Sequence, residues 1–112
     1  MEISTRKEKG VSIVSLNGRL DSASISDGEK ALFDLIDQGE KRILLNLTDL
    51  EYINSSGLRI ILASAKKLKV QKGTLSFTGL QGVVRQVFEI SGFYGIFKVF
   101  DSESDALAET TP

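Results

Sequence analysis

The run Arg42-Ile43-Leu44-Leu45-Asn46-Leu47 puts apolar side chains at consecutive positions rather than at every second one. A strand with one wet face would alternate, so this segment calls for cover on both faces and a central place in a sheet. It is too short for a buried helix, and the connection Thr48-Asp49-Leu50-Glu51 follows at once. Tyr52 and Ile53 then point inward just before Asn54-Ser55-Ser56-Gly57, and apolar residues return at helical spacing from Leu58 to Val70. Strand, loop, and a helix mouth carrying two serines form the unit around which the chain is arranged. An asparagine or serine at such a mouth accepts from the first free N–H groups of the helix, and the helix dipole favours an anion there.

A strand buried on both sides needs covering layers. Ile25, Leu32, Leu35 and Ile36 share one helical stripe, with Phe33 at its margin and Asp21-Ser22-Ala23-Ser24 as candidate caps. Gly28 weakens this helix and Gly39 stops it. Leu58, Ile61, Leu62, Ala65 and Leu68 form the stripe of a second helix, broken by Gly73. A third, shorter helix carries Val83, Val84, Val87, Phe88 and Ser91 and stops at Gly92. Thr74 to Thr78 alternates as a strand with one apolar face, and Ile96 to Phe100 reads as the last strand. Asp101-Ser102 caps a brief final helix through Leu107, and the tail frays from about residue 109.

At the other end, Met1 to Lys7 reads as a weak edge strand. Lys9-Gly10 turns it into Val11-Ser12-Ile13-Val14-Ser15-Leu16, which Asn17-Gly18 closes with a turn. No internal repeat or low-complexity tract interrupts the pattern. The expectation is a single α/β domain over residues 1–112. An N-terminal hairpin opens a mixed sheet, the helix-linked strands run parallel, and there are about four helices in all.

Composition narrows the chemistry. With 112 residues, 41% hydrophobic and 26% charged, the chain suits one domain with a real core. Its net charge of −1 offers no overall attraction to nucleic acid, and Lys66, Lys67, Lys69 and Lys72 read as the solvated face of a helix. There is no cysteine and no histidine, which removes thiolate chemistry, disulfides, the commonest general base and the commonest zinc ligand. No metal or cofactor site is expected. No segment is long and apolar enough to span a bilayer, so no membrane partner and a cytoplasmic location are expected.

Catalysis by the serine pair would need a base, and neither a Gly-x-Ser-x-Gly elbow nor a phosphate-binding Gly-x-x-x-x-Gly-Lys loop is present. Gly79 and Gly82 read as turn residues, and Asp49 and Glu51 as solvated loop acids. Ser and Asn before a helix are ordinarily caps. Asp21 reads the same way, although it follows a strand and precedes a helix, as Ser55 does.

Four segments in order carry a resemblance: Gly18-Arg19-Leu20-Asp21, Ile43-Leu44-Leu45-Asn46-Leu47-Thr48-Asp49-Leu50, Tyr52-Ile53-Asn54-Ser55-Ser56-Gly57-Leu58 and Phe88-Glu89-Ile90-Ser91-Gly92-Phe93. Together they resemble the anti-sigma factor antagonist family, small single-domain members of the STAS fold group, over essentially Ile3 to Leu107. In that family the loop reads Asp-Ser-Ser/Thr-Gly-Leu, and the serine after the Asp is the phosphoacceptor. The resemblance therefore implies phosphorylation at Ser55, with Ser56 the second hydroxyl, and it places Asn54 where the family has Asp. It implies a partner-binding edge of Gly18, Leu20, Asp21 and Ser22 with Asn54, Ser55, Ser56, Gly57, Leu58 and Arg59, Leu58 also serving the core stripe.

The implied partners are an anti-sigma factor that is itself a serine kinase with a Bergerat-type ATP site, and a PP2C-type phosphatase. The protein would be a substrate and competitor rather than an enzyme, and a monomer when free. The alternative keeps the fold but works without phosphorylation, as a constitutive STAS adaptor such as a subunit of a lipid-transport ATPase.

Overall fold

In the computed structural model residues 1–110 are described. The chain runs β1 (Glu2–Glu8), β2 (Val11–Leu20), α1 (Ile25–Asp37), β3 (Arg42–Asn46), β4 (Leu50–Ile53), α2 (Ser55–Val70), β5 (Thr74–Thr78), α3 (Gly82–Ser91), a 3-10 turn (Phe93–Gly95), β6 (Lys98–Phe100) and α4 (Glu103–Thr110). The final helix runs past the expected end at Leu107, so that residues 109 and 110, expected as a frayed tail, continue α4; the rest of that tail, Thr111 and Pro112, lies outside the described residues.

β1 and β2 pair antiparallel from Glu2↔Asn17 to Glu8↔Val11. Lys9 and Gly10 join them with φ of 51° and 79°, the two left-handed residues that a tight hairpin matching strand twist requires. β1 is thus a full seven-residue strand; its polar alternation, with only Ile3 half-buried, belongs to an exposed edge rather than to weak pairing. The sheet order is β1-β2-β3-β5-β6, with β3, β5 and β6 parallel to β2 and to one another. β3 is central, and Ile43, Leu44 and Leu45 are each at most 1% exposed, as the unbroken apolar run requires.

The two faces are covered unequally. Helices α1, α2 and α3 pack Leu32, Ile36, Ile60, Ile61, Leu68, Val84 and Phe88 onto Val14, Leu16, Ile43, Leu45 and Phe77. On the reverse face, among the described residues, α4 is the one helix, and it lays Ala106 and Leu107 over Val11, Ile13 and Leu44. Ser102 Oγ caps α4 by accepting from Asp105 N–H at 3.1 Å. At the start of α4, Glu103 takes hydrogen bonds from Arg6 on β1 and from Asn46 on β3.

Two segments depart from the sequence pattern. The strand expected over 96–100 is only Lys98–Phe100, because the 3-10 turn binds the N–H groups of Ile96 and Phe97 to the Phe93 carbonyl at 3.0 and 2.9 Å. The buried face of α2 is Gly57, Ile60, Ile61, Ser64 and Leu68, with Leu58, Leu62 and Ala65 half-buried at its flank. The expected stripe is therefore rotated toward the small residues. Ser64 Oγ is buried and, among the described residues, has no hydrogen-bond partner.

Candidate functional site

The Asn17-Gly18 turn expected after β2 does not form. β2 continues to Leu20, and Gly18, at φ 104°, is the point where its register shifts. The first half of β2 pairs with β3, whereas Gly18, Arg19 and Leu20 pair with Leu50, Tyr52 and Ile53 of β4. Gly18 N–H donates to the Asp49 carbonyl at 3.0 Å, and Asn54 N–H to the Leu20 carbonyl at 3.3 Å. The segment Leu50–Ile53, expected as a loop with two inward residues, is this short parallel strand. Four residues with Glu51 exposed and Tyr52 half-buried carry too little alternation to announce it.

The consequence is spatial. Two turns, 21–24 and 54, leave the carboxyl ends of adjacent parallel strands side by side, the usual location of sites on open α/β sheets. Leu20 and Ile53 anchor the seam at 1% exposure each, worth about 2 kcal/mol apiece in apolar burial. Gly57 lets α2 settle onto them: a Cβ there would lie 2.6 Å from Ile53 Cγ1 and 3.1 Å from Leu20 Cδ2.

At the mouth of α2, Asn54 is the N-cap, and its Oδ1 accepts from Gly57 N–H at 3.1 Å. Its carbonyl accepts from Leu58 N–H at 3.1 Å. Ser55 is the first helical residue and is exposed; Ser56 is half-buried. Among the described residues neither serine hydroxyl makes a hydrogen bond. Arg59 is exposed one turn below Ser55. A groove of about 400 Å³ opens beside it between α1 and α2, lined by Ile25, Glu29, Ser56, Arg59, Ile60 and Ala63. Ile25, Glu29 and Ala63 were absent from the sequence-based set, because nothing local ties the first turn of α1 to that of α2.

The turn after β2 is closed on itself. Asp21 is not the cap of α1; that position is Ser24. Asp21 Oδ1 accepts from Ala23 N–H at 3.1 Å, and its other oxygen lies 3.4 Å from Arg19 Nε. The hydrogen bond from Ala23 is the strongest influence on the Asp21 carboxyl; desolvation opposes it, and with the hydrogen bond and charge of Arg19 the pKa is held below its ordinary value. Ser24 Oγ donates to the Arg19 carbonyl at 2.6 Å and accepts from Asp21 N–H at 3.1 Å. The Arg19 guanidinium stacks 4.3 Å above the Tyr52 ring, a contact across β2 and β4 that the sequence did not suggest. Ser22 is exposed, Gly18 half-buried and Leu20 interior. Of the residues expected at a docking edge, Leu20 and Gly57 therefore support it from below, while Ser22, Ser55 and Arg59 present themselves to solvent.

The sequence profile of the STAS domain family matches residues 2–106. BtrV of Bordetella bronchiseptica, described as an anti-sigma factor antagonist, is 42% identical over 96% of this chain and 93% of its own. The chain is a STAS domain of the anti-sigma factor antagonist family. An anti-sigma F factor antagonist from Paenibacillus polymyxa is 28% identical, over 97% of this chain and 94% of its own. A solved anti-sigma factor antagonist structure from Thermotoga maritima shares the fold at a TM-score of 0.92, with 24% identity over 98% of this chain and 95% of that one. SpoIIAA, solved in an unphosphorylated and in a phosphorylated form, also shares the fold, at TM-scores of 0.74 and 0.76 and 18% and 21% identity. These two superpositions cover 96% of this chain, and 96% and 98% of the respective SpoIIAA chains. Among the described residues no helix is long and apolar enough to cross a membrane, and no group of His, Cys, Asp or Glu is arranged to hold a metal ion.

Proposed function

We propose that this STAS domain is an anti-sigma factor antagonist that works in the cytoplasm by partner switching. Unphosphorylated, it binds an anti-sigma factor through Gly18–Ser22 and Asn54–Arg59 and so frees a sigma factor. The bound partner is also a serine kinase with a Bergerat-type ATP site. It transfers the γ-phosphoryl of ATP to Ser55 Oγ, releasing ADP and the hydroxyl proton. A PP2C-type phosphatase hydrolyses the ester with water and returns the serine and inorganic phosphate. The domain is the substrate of both reactions and catalyses neither.

The observation that carries this reading is the free, exposed hydroxyl of Ser55 on a helix mouth already capped by Asn54. Phosphorylation adds about −1.5 to −2 charges at neutral pH. At a helix N-terminus, with Arg59 one turn away, the fold tolerates that charge. A partner packed on the same edge instead meets a bulky anion with no counter-charge of its own. A penalty of about 3 kcal/mol lowers occupancy by roughly two orders of magnitude.

The neutral cap supports a second reading. Asn54 does the capping work without the family's carboxylate, as a constitutive adaptor without a phosphorylation cycle would allow. Incubation with the cognate kinase and ATP, followed by mass-spectrometric mapping, separates the two. Phosphate on Ser55, with Ser55→Asp losing the partner and Ser55→Ala retaining it, supports switching. Equal binding by both variants, or phosphate elsewhere, rules it out.

A further inference from the structure

The opposite end of α2 carries a second surface. A Cβ on Gly73 would lie 2.5 Å from the Lys41 carbonyl, which accepts from Thr74 N–H at 2.7 Å. This close approach brings the last turn of α2 with Lys69, and Lys72 just after it, against Lys41 and the start of β3 at Arg42. Among the described residues none of these four cations is in an ion pair, whereas nearby Lys67 and Lys98 pair with Asp37 and Glu109. Beside them a groove of about 480 Å³ follows the β5–β6 edge; Ala65, Leu75, Ile96 and Phe97 provide its apolar wall, and Arg42, Lys69 and the Lys98–Glu109 ion pair its rim, so that two cations there have no carboxylate of their own. Ile96 is 63% exposed because the 3-10 turn withholds it from β6. Complementing the negative end of α2 accounts for Lys69. It does not account for Arg42 at the start of β3, nor for the apolar recess between Arg42 and Lys69.

We infer that this groove docks an acidic, amphipathic segment of a partner protein, with aliphatic side chains against Ala65, Leu75 and Phe97 and carboxylates on Arg42 and Lys69. Several spaced cations suit a chain bearing several carboxylates, where a single fatty-acid headgroup satisfies one. A polynucleotide finds a single ring, Phe97, for base stacking in a wall otherwise made of Ala65, Leu75 and Ile96, and a flat bilayer does not reach into a recess between a helix and a sheet edge. Along α2 the groove residues Ala65 and Lys69 lie about 15 and about 21 Å from Ser55. Occupancy here is thus compatible with a partner at the other end and stands whether or not Ser55 is phosphorylated.

The test is a titration of the isotopically labelled full chain, followed by amide chemical shifts, with a synthetic peptide alternating leucine and glutamate. Shifts are expected at Ala65, Leu75 and Phe97 and not at Ser55, weakening with added salt. The Lys69→Glu/Lys72→Glu variant should bind about tenfold less tightly. Arg42→Gln, a milder change, should bind less tightly too, and unchanged circular dichroism excludes misfolding as the cause. Silence at millimolar peptide overturns the inference. So does an equal response to a leucine–lysine peptide, a response centred on Ser55, or binding of anionic-lipid vesicles in place of the peptide.

Discussion

In the turn after β2 the polar side chains fold back onto their own main chain, whereas in the turn after β4 one side chain does that work and two hydroxyls stay free. Asp21 and Ser24 together satisfy Ala23 N–H, Asp21 N–H and the Arg19 carbonyl. Asn54 alone satisfies Gly57 N–H, and Ser55 has no structural duty. Neighbouring strands of one sheet thus end in a clamp and in an addressable corner. The contrast predicts that substitutions cost stability according to how inward each group is turned, while direct effects on partner binding concentrate at the exposed groups, and an inward change alters binding only where it moves them.

The largest effect should come from the glycine under the corner. Gly57→Ala places a methyl 2.6 Å from Ile53 and 3.1 Å from Leu20, both interior. Overpacking of that kind costs about 2 kcal/mol, read as a lower urea midpoint at unchanged m-value. Because α2 must shift, Ser55 presentation should suffer as well, so this substitution loses stability and binding together.

Next comes a matched pair. Ser24→Ala leaves the Arg19 carbonyl and Asp21 N–H without their partner and should cost about 1.5 kcal/mol. Asn54→Ala removes one cap bond and should cost about 1 kcal/mol. Asn54→Asp keeps the bond and adds a charge that the helix mouth favours by about 0.5 kcal/mol. If Ser24→Ala proved the milder of the two alanine substitutions, the division into clamp and corner would fail. Urea denaturation of the three variants settles it.

How legible was this arrangement? The central strand was plain from Ile43 to Leu47, since a consecutive apolar run of that length has few other homes. The cap at Asn54 was equally readable, because capping depends on residues three apart. What stayed hidden depends on contacts between segments distant in sequence. β4 exists because β2 runs on beyond its pairing with β3 and offers Gly18, Arg19 and Leu20 to it, and neither strand advertises that alone. Gly57 and Ser64 turn inward because α2 approaches the sheet closely, so an apolar-stripe reading favoured Leu58 and Leu62 instead. Glu29 and Ile25 join the groove beside Ser56 only once α1 and α2 have packed.

A smaller effect separates the turns by pH. The Asp21 carboxyl titrates below its ordinary value in the folded protein. Its contribution is therefore complete above the unfolded value of about 3.9 and disappears as pH falls through the folded one. The urea-midpoint difference between the parent and Asp21→Asn should shrink across that acid window and stay flat from pH 5 to 8. Glu103 is likewise held low: desolvation is the strongest single influence on it and raises its pKa, but the hydrogen bonds from Asn46 and Arg6 and the charge of Arg6 together outweigh it. It is common to both proteins and cancels in the difference. A gap that instead widened toward acid would mean that Asp21 does not brace its turn as a carboxylate.

The smallest stability effect belongs to the residue on which function is proposed to turn. Ser55 is exposed at the first position of α2, and the cap bond to Gly57 is made by Asn54 without it. Ser55→Ala should change unfolding free energy by less than about 0.5 kcal/mol. Alanine also suits a helix slightly better than serine, which biases the small change toward stabilisation. Ser56→Ala, half-buried beside Ile60 and Arg59, should cost more than Ser55→Ala. A stability loss of 1 kcal/mol or more for Ser55→Ala would show the hydroxyl doing internal work. A phosphate there would then have to break that work to form, and the domain could not stay folded and unchanged while its partner leaves.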